Sequence, residues 1–153
     1  MGIDPKVSAL VYVAARGPDA GEDFTALAKT FPTAPAGAGL VETNGFAQLS
    51  EHAFLVDFAN GVDQAKARVL YAVQGPVSAT LFSGKTTAAG WRSEPSWYAV
   101  SKQDRTISPE LERFLAKRMN ATLRSVPSSH CPFMSKPEAV ADIIALAAEA
   151  IDK

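Results

Sequence analysis

The sequence predicts an α/β domain in which a short parallel sheet is flanked by helices. Three strand-like runs carry this prediction, at residues 7–14, 97–101 and 121–126, and helical patterns follow the second and the third. The first run is rich in β-branched and aromatic residues without alternation, which is typical of a parallel strand covered on both faces. Strand, helix, strand, helix implies a right-handed parallel crossover.

The composition fits one globular domain of 153 residues, with 47% hydrophobic residues and a formal net charge of −1. Because the charges are mixed and form no basic stripe, we expect neither a nucleic-acid partner nor a membrane-surface partner. Cys131 is the only cysteine, which excludes an intramolecular disulfide and favours a reducing, cytoplasmic compartment. The two histidines are far apart and the carboxylates are scattered, so we expect no metal and no cofactor.

The first apolar run, at residues 7–14, has the hydropathy of a secretion signal but not its other features. Only Lys6 precedes it as a positive charge, Asp4 and Pro5 fit a signal sequence poorly, and the run is too short to span a membrane. We therefore interpret it as a core strand.

The segment from 16 to 92 carries a succession of short amphipathic helical patterns. We predict helices over 23–31, 50–58, 63–74 and 76–82, separated by glycine and proline residues. Ser50 is a plausible N-cap for the second. The simplest interpretation of the apolar side chains here is a core, and the alternative is that some of them line an apolar substrate pocket. These side chains are Phe24, Leu27, Phe31, Phe46, Leu49, Phe54, Leu55, Phe58, Leu70, Tyr71, Leu81 and Phe82.

From residue 93 onward the pattern is regular α/β. Ser108 followed by Pro109 and Glu110 predicts a helix N-terminus, and the strand 121–126 comes next. Ser135 with Glu138 three residues later predicts a capping box for the last helix. The predicted buried stripe of that helix is Val140, Ile143, Ile144, Ala147 and Ile151.

Asp104 and His130 are the candidate catalytic residues. Asp104 follows the strand 97–101 and His130 follows the strand 121–126, so both lie at the carboxyl ends of neighbouring parallel strands, where ligands bind in such sheets. A carboxylate beside an imidazole fixes its tautomer and orients it as a general base. Each residue alone has an ordinary interpretation, Asp104 as a turn residue and His130 as a loop histidine. We expect His52 to face solvent and Cys131 to point away from the site.

Three segments resemble the C-terminal half of an α/β-hydrolase: residues 10–15, 97–107 and 129–138. Within that superfamily the chain is most similar to bacterial esterase-like proteins related to the plant hydroxynitrile lyase and methyl-ester esterase group. The resemblance implies that residues 1–153 form a partial α/β-hydrolase domain. It implies that 7–14 is the sixth strand of the family, that 16–92 is a helical lid, and that 93–153 holds the seventh and eighth strands with Asp104 as catalytic acid and His130 as catalytic base.

The sequence departs from the family pattern because it contains no Gly-x-Ser-x-Gly nucleophile turn. Ser83 lies in no such context. We therefore expect a carboxylic-ester hydrolase type of protein that is inactive alone and that, if completed by an N-terminal half, acts on a small apolar ester. The alternative is a non-catalytic module that binds a small molecule or a protein. In either case the open edge of the strand 7–14 predicts a homo-oligomer or a complex with the complementary half.

Overall fold

The computed structural model describes residues 4–151, so the outermost residues of the predicted domain, 1–3 and 152–153, lie outside the description. In chain order, the strands are β1 (Leu10–Val13), β2 (Leu40–Thr43), β3 (Phe46–Leu49), β4 (Val77–Ser78), β5 (Ser96–Ser101) and β6 (Thr122–Val126). The helices are α1 (Phe24–Ala28), α2 (Glu51–Ala53), α3 (Gln64–Ala72), α4 (Pro109–Arg118), α5 (Pro132–Ser135) and α6 (Pro137–Ile151). A π-helical turn, Phe54–Phe58, continues α2, and 3₁₀ turns cover Pro35–Gly39, Ala79–Phe82 and Gly90–Arg92.

The main sheet is parallel and has the strand order β1-β5-β6, with β5 in the centre. This confirms the predicted fold class and the predicted neighbours of each strand. The first strand is shorter than predicted, because the ladder to β5 begins at Leu10 and the run 7–9 precedes it. The backbone then turns at Ala14, whose φ is +44° and whose amide still donates to Ala99 O.

Both faces of the central strand β5 are covered, whereas β1, which was predicted to be covered on both faces, is only half-buried, and β6 is exposed except at Val126. On β5, Tyr98 and Val100 pack into one cluster with Leu115 of α4. Trp97 and Ala99 point the other way and pack with α6. Adjacent residues of a strand face opposite sides, so a strand without hydrophobic alternation supplies both layers of the core.

The helix α4 begins as predicted, with Ser108 Oγ accepting the Leu111 amide hydrogen at 3.3 Å. The prediction of a capping box at the start of α6 is wrong. Ser135 lies inside α5, where its Oγ is 2.6 Å from Ser128 Oγ, so this hydroxyl does not cap the next helix. Val140, Ile143 and Ala147 are buried as predicted, but Ile144 and Ile151 are exposed.

The intervening segment, residues 14–95, was predicted to be helical, and this prediction is only partly correct. It contains a second, antiparallel sheet of order β2-β3-β4. Asn44 and Gly45 form its two-residue hairpin turn with φ of +51° and +79°, which matches a type I′ turn. The helix predicted over 76–82 is wrong, because Val77–Ser78 pairs with β3 and only the 3₁₀ turn follows.

The aromatic residues of the intervening segment are divided between two places. Phe54 forms a separate cluster with Ala59 and Ala67, under α2 and α3. Phe24 joins the core on the α4 side of the main sheet. Phe46 is 53% exposed and Leu81 is 61% exposed, so these two residues are not part of a core. No helix within residues 4–151 is long and apolar enough to cross a membrane.

Candidate active site

Asp104 lies in the turn that follows β5, with its side chain fully buried. Its Oδ1 accepts two backbone hydrogen bonds, from Thr106 N at 2.6 Å and Ile107 N at 3.0 Å. Backbone donors of this kind satisfy one carboxylate oxygen and fix the orientation of the group. The second oxygen, Oδ2, is therefore left to face the loop that follows β6.

His130 lies in that loop, and its Nδ1 is 2.7 Å from Asp104 Oδ2. The hydrogen bond expected between the two candidate residues is thus present. The loops that carry them are joined by the hydrogen bond from Gln103 N to Ser128 O. On its other side the imidazole contacts the Phe58 ring, with the ring centroids 5.1 Å apart. An imidazole held in this way presents Nε2 as its free nitrogen, and within residues 4–151 that atom makes no hydrogen bond.

The turn that carries Asp104 is also fixed by the intervening segment. Arg105 Nε donates to Asp57 Oδ1 at 2.7 Å, and the Asp57 side chain is 7% exposed. Asn60 Nδ2 donates to Gln103 O at 3.2 Å. Asp57 belongs to the π-helical turn, a type of helical irregularity that is frequent at functional sites. Sequence reasoning missed Asp57, although a carboxylate inside an apolar helical pattern was a signal for a buried partner.

A second buried carboxyl group, Glu112 of α4, lies beneath the same turn. Its Oε2 accepts the Ser101 amide hydrogen at 3.0 Å, and the residue is fully buried. Burial, together with the neighbouring Asp104 carboxylate, raises the pKa of Glu112 to about 9. The group is therefore a neutral carboxylic acid at neutral pH. Sequence reasoning missed it as well.

The other candidate residues do not join this pair. Burial raises the pKa of the Cys131 thiol to about 12, so the group is a poor source of thiolate. Ser83 Oγ donates to Thr80 O at 3.3 Å within the 3₁₀ turn. His52 is exposed on α2, as predicted. Within the described residues, no group of three or more His, Cys, Asp or Glu side chains is placed to hold a metal ion.

A cavity of about 580 Å³ opens beside His130, between the main sheet and the intervening segment. Its wall is mainly apolar and includes Phe54, Phe58 and Ile107. Ala14, at the end of β1, contributes to the same wall. A concave apolar site with an orienting polar group at its edge is the usual form of a small-molecule site.

Comparisons with known proteins find similar folds. The fold is similar to that of polyneuridine aldehyde esterase, with a TM-score of 0.73 and 14% identity over 92% of this chain and 62% of that chain. A methylesterase from Arabidopsis gives 0.70 and 14% over 94% and 60%. A pyrethroid hydrolase from Sphingobium faniae JZ-2 gives 0.68 and 21% over 95% and 62%. No curated protein matches the sequence.

The chain thus spans about 60–62% of the length of these similar structures. At such low identities the likeness establishes the fold, and the esterases among them agree with the resemblance found in the sequence. The model of the alpha/beta hydrolase family matches residues 2–143, which is most of the chain. The chain belongs to the α/β-hydrolase family.

Proposed function

We propose that this chain supplies the acid and the base of a carboxylic-ester hydrolase, with His130 as general base and Asp104 as the residue that orients it. The observation that carries the proposal is the 2.7 Å contact between His130 Nδ1 and Asp104 Oδ2, beside an apolar cavity. The buried carboxylate holds the proton on Nδ1, so that Nε2 is the basic atom. The esterases and the pyrethroid hydrolase among the similar structures support an ester as the substrate class.

In this proposal His130 Nε2 accepts the proton of a hydroxyl nucleophile as its oxygen attacks the ester carbonyl. Asp104 stabilises the resulting imidazolium, which then gives the proton to the leaving alcohol. A water molecule hydrolyses the acyl intermediate by the same route. The base and its orienting acid contribute little without the nucleophile, because the groups of such a triad act as a unit.

The nucleophile is the component that this chain does not supply in our proposal. The sequence has no Gly-x-Ser-x-Gly turn, and within residues 4–151 neither Ser83 nor Cys131 hydrogen-bonds to His130. We propose that an N-terminal half of the hydrolase domain provides the serine and the oxyanion-hole donors, and that residues 1–153 alone are inactive. We also assign residues 16–92 as the lid over the substrate and the cytoplasm as the compartment.

The test is hydrolysis of p-nitrophenyl butyrate by the purified chain and by its His130→Ala variant. We expect the release of nitrophenol by both proteins to equal that of a heat-inactivated sample. When a polypeptide carrying the nucleophile turn is added, the wild type should gain activity and His130→Ala should not. Turnover by the chain alone that is lost on Ser83→Ala or Cys131→Ala would overturn the proposed division of roles.

A second candidate function is a non-catalytic binding or interaction module. Two observations favour it: the apolar cavity beside His130, and the edge of β1, which pairs only with β5 among the described residues. An unpaired parallel edge is a template for a further strand. A cavity ligand that binds equally well to wild type and His130→Ala, with no hydrolysis under any condition, would favour this function over the enzyme.

A further inference from the structure

Among the described residues in the wall of the cavity beside His130, Arg16 is the one that belongs to the Arg, Lys, Asp and Glu group. Arg16 follows the turn at Ala14 that ends β1, so the main sheet places it at the mouth of the cavity. It also lines a neighbouring apolar hollow together with Phe24 and Phe82. The residue as a whole is exposed, and its position is set by these two rings.

The guanidinium group of Arg16 lies near two aromatic rings. Its Cζ lies 5.1 Å from the Phe24 ring centroid and 5.4 Å from the Phe82 ring centroid, both within the range of cation–π contacts. A cation–π contact consumes no N–H donor, and the Arg16 side chain donates no hydrogen bond to the described residues. The side chain is therefore orientated without its hydrogen-bonding capacity being used.

Two other arginines that contact the intervening segment have carboxylate partners, unlike Arg16. Arg105 pairs with Asp57, and Arg118 pairs with Glu22. In the part of the chain from residue 4 to 151, no carboxylate forms an ion pair with Arg16. Its positive charge thus has aromatic neighbours and no internal counter-charge.

The two glutamine side chains of the cavity wall are already engaged, whereas Thr106 Oγ1 is buried and has no hydrogen-bond partner among the described residues. Gln48 Nε2 donates to Gln74 O at 2.9 Å. Gln74 bonds both backbone atoms of Leu49, accepting from its N at 2.9 Å and donating to its O at 3.0 Å. No Asp or Glu side chain belongs to the wall among the described residues. The cavity is therefore mainly apolar, with the Arg16 guanidinium, the imidazole and the Thr106 hydroxyl as its polar groups that make no hydrogen bond to the other wall residues.

We propose that Arg16 recognises an anionic group of the cavity ligand, so that the substrates of this site are apolar esters bearing a carboxylate away from the ester bond. This inference rests on the proposed ester-hydrolase function for its substrate class. The recognition itself needs only the cavity and Arg16. A planar guanidinium matches a carboxylate with two parallel hydrogen bonds, which an apolar surrounding strengthens.

The test is an NMR titration of backbone amides with two probes of the same shape, phenylacetate and its neutral amide, phenylacetamide. It measures binding without hydrolysis, so a failure of the proposed enzymatic function leaves the result interpretable. We expect phenylacetate to bind the wild type about tenfold more tightly, which is the effect of one hydrogen-bonded charge pair. Arg16→Gln should remove the preference.

Two control variants separate Arg16 from the other positive groups. Arg124→Gln changes an exposed arginine on β6 outside this cavity and should retain the preference. His130→Ala should also retain it, whereas a preference lost in His130→Ala and kept in Arg16→Gln would overturn the proposal. If Arg16→Gln does not fold, Arg16→Lys, which keeps the charge and loses the planar fork, should lower the preference. Equal affinities of the wild type for both probes, or no binding of either, would also overturn it.

Discussion

The substitution Glu112→Gln tests the assignment of a neutral carboxylic acid beneath the turn that carries Asp104. Glutamine has nearly the same shape and can still accept the Ser101 amide hydrogen, but it does not titrate. Glu112 is fully buried, and burial with the neighbouring Asp104 raises its pKa to about 9 from the ordinary value of 4.5. The two proteins should therefore differ in how their stability depends on pH.

The sign follows from proton binding in the two states. Between the unfolded pKa of Glu112 and its folded pKa, the native protein binds more protons than the unfolded chain, so the free energy of unfolding falls as pH rises. The slope is at most about 1.4 kcal/mol per pH unit. In a chain of 153 residues this corresponds to roughly 4 °C in Tm per pH unit. The contribution is fully present below the unfolded pKa and is lost as pH rises towards 9.

The assay is the Tm of wild type and Glu112→Gln at half-unit steps from pH 5 to pH 9, because their difference cancels the titrating groups that do not interact with Glu112. We expect the wild type to lose stability relative to the variant steadily across this range. Glu110→Gln is the matched control, since Glu110 is exposed on the same helix and its pKa is lowered. A Tm difference between wild type and Glu112→Gln that is the same at every pH would refute the assignment of a raised pKa.

Three further predictions concern local packing and association. Ser108→Ala removes the N-cap of α4 and should lower the free energy of unfolding in urea by about 1 kcal/mol, whereas an unchanged midpoint would contradict the capping role. Gly17→Ala places a Cβ 1.8 Å from Met119 Cε and should cost about 1–2 kcal/mol in the same assay, and the cost should fall in a Met119→Ala background. Light scattering at micromolar concentration should show a dimer, or larger species, formed through the free edge of β1, and a monodisperse monomer would contradict this expectation.

The predictions from the sequence were most accurate for elements whose local residue pattern agrees with the topology of a parallel α/β sheet. The strands of the main sheet are short apolar runs whose neighbours follow from the parallel crossover, and α4 begins at an N-cap serine followed by proline. The contact between Asp104 and His130 was predictable because the carboxyl ends of neighbouring parallel strands meet at one edge of the sheet. The catalytic roles of the two residues remain predictions.

The hairpin β2-β3 was missed because residues 40–49 were assigned to a helical segment, 16–92, without a predicted element of their own. The Asn44-Gly45 turn was the local signal for a hairpin, since both residues adopt positive φ. Phe46 of β3 was predicted to be buried or to line a pocket, but it is exposed and contributes to no core. Here the local turn chemistry was more informative than the spacing of apolar residues.

Glu112 was missed for a different reason. It occupies the same helical stripe as Leu115, Ala116 and Met119, at spacings of three, four and seven residues, which is a core position. A carboxylate there is unfavourable unless it is neutralised or paired, so a sequence rule assigns it to the surface. What makes the position possible is the Ser101 amide donor and protonation, and both depend on tertiary structure.

The central claim is that Asp104 holds the proton of His130 on Nδ1 and leaves Nε2 as the base. Nitrogen NMR of the imidazole at alkaline pH measures this tautomer directly, and His52→Gln leaves His130 as the one histidine of the chain. We predict a protonated Nδ1 in the wild type and a shift towards the Nε2-protonated tautomer in Asp104→Ala. A wild-type imidazole protonated on Nε2, or a tautomer unaffected by Asp104→Ala, would contradict the account.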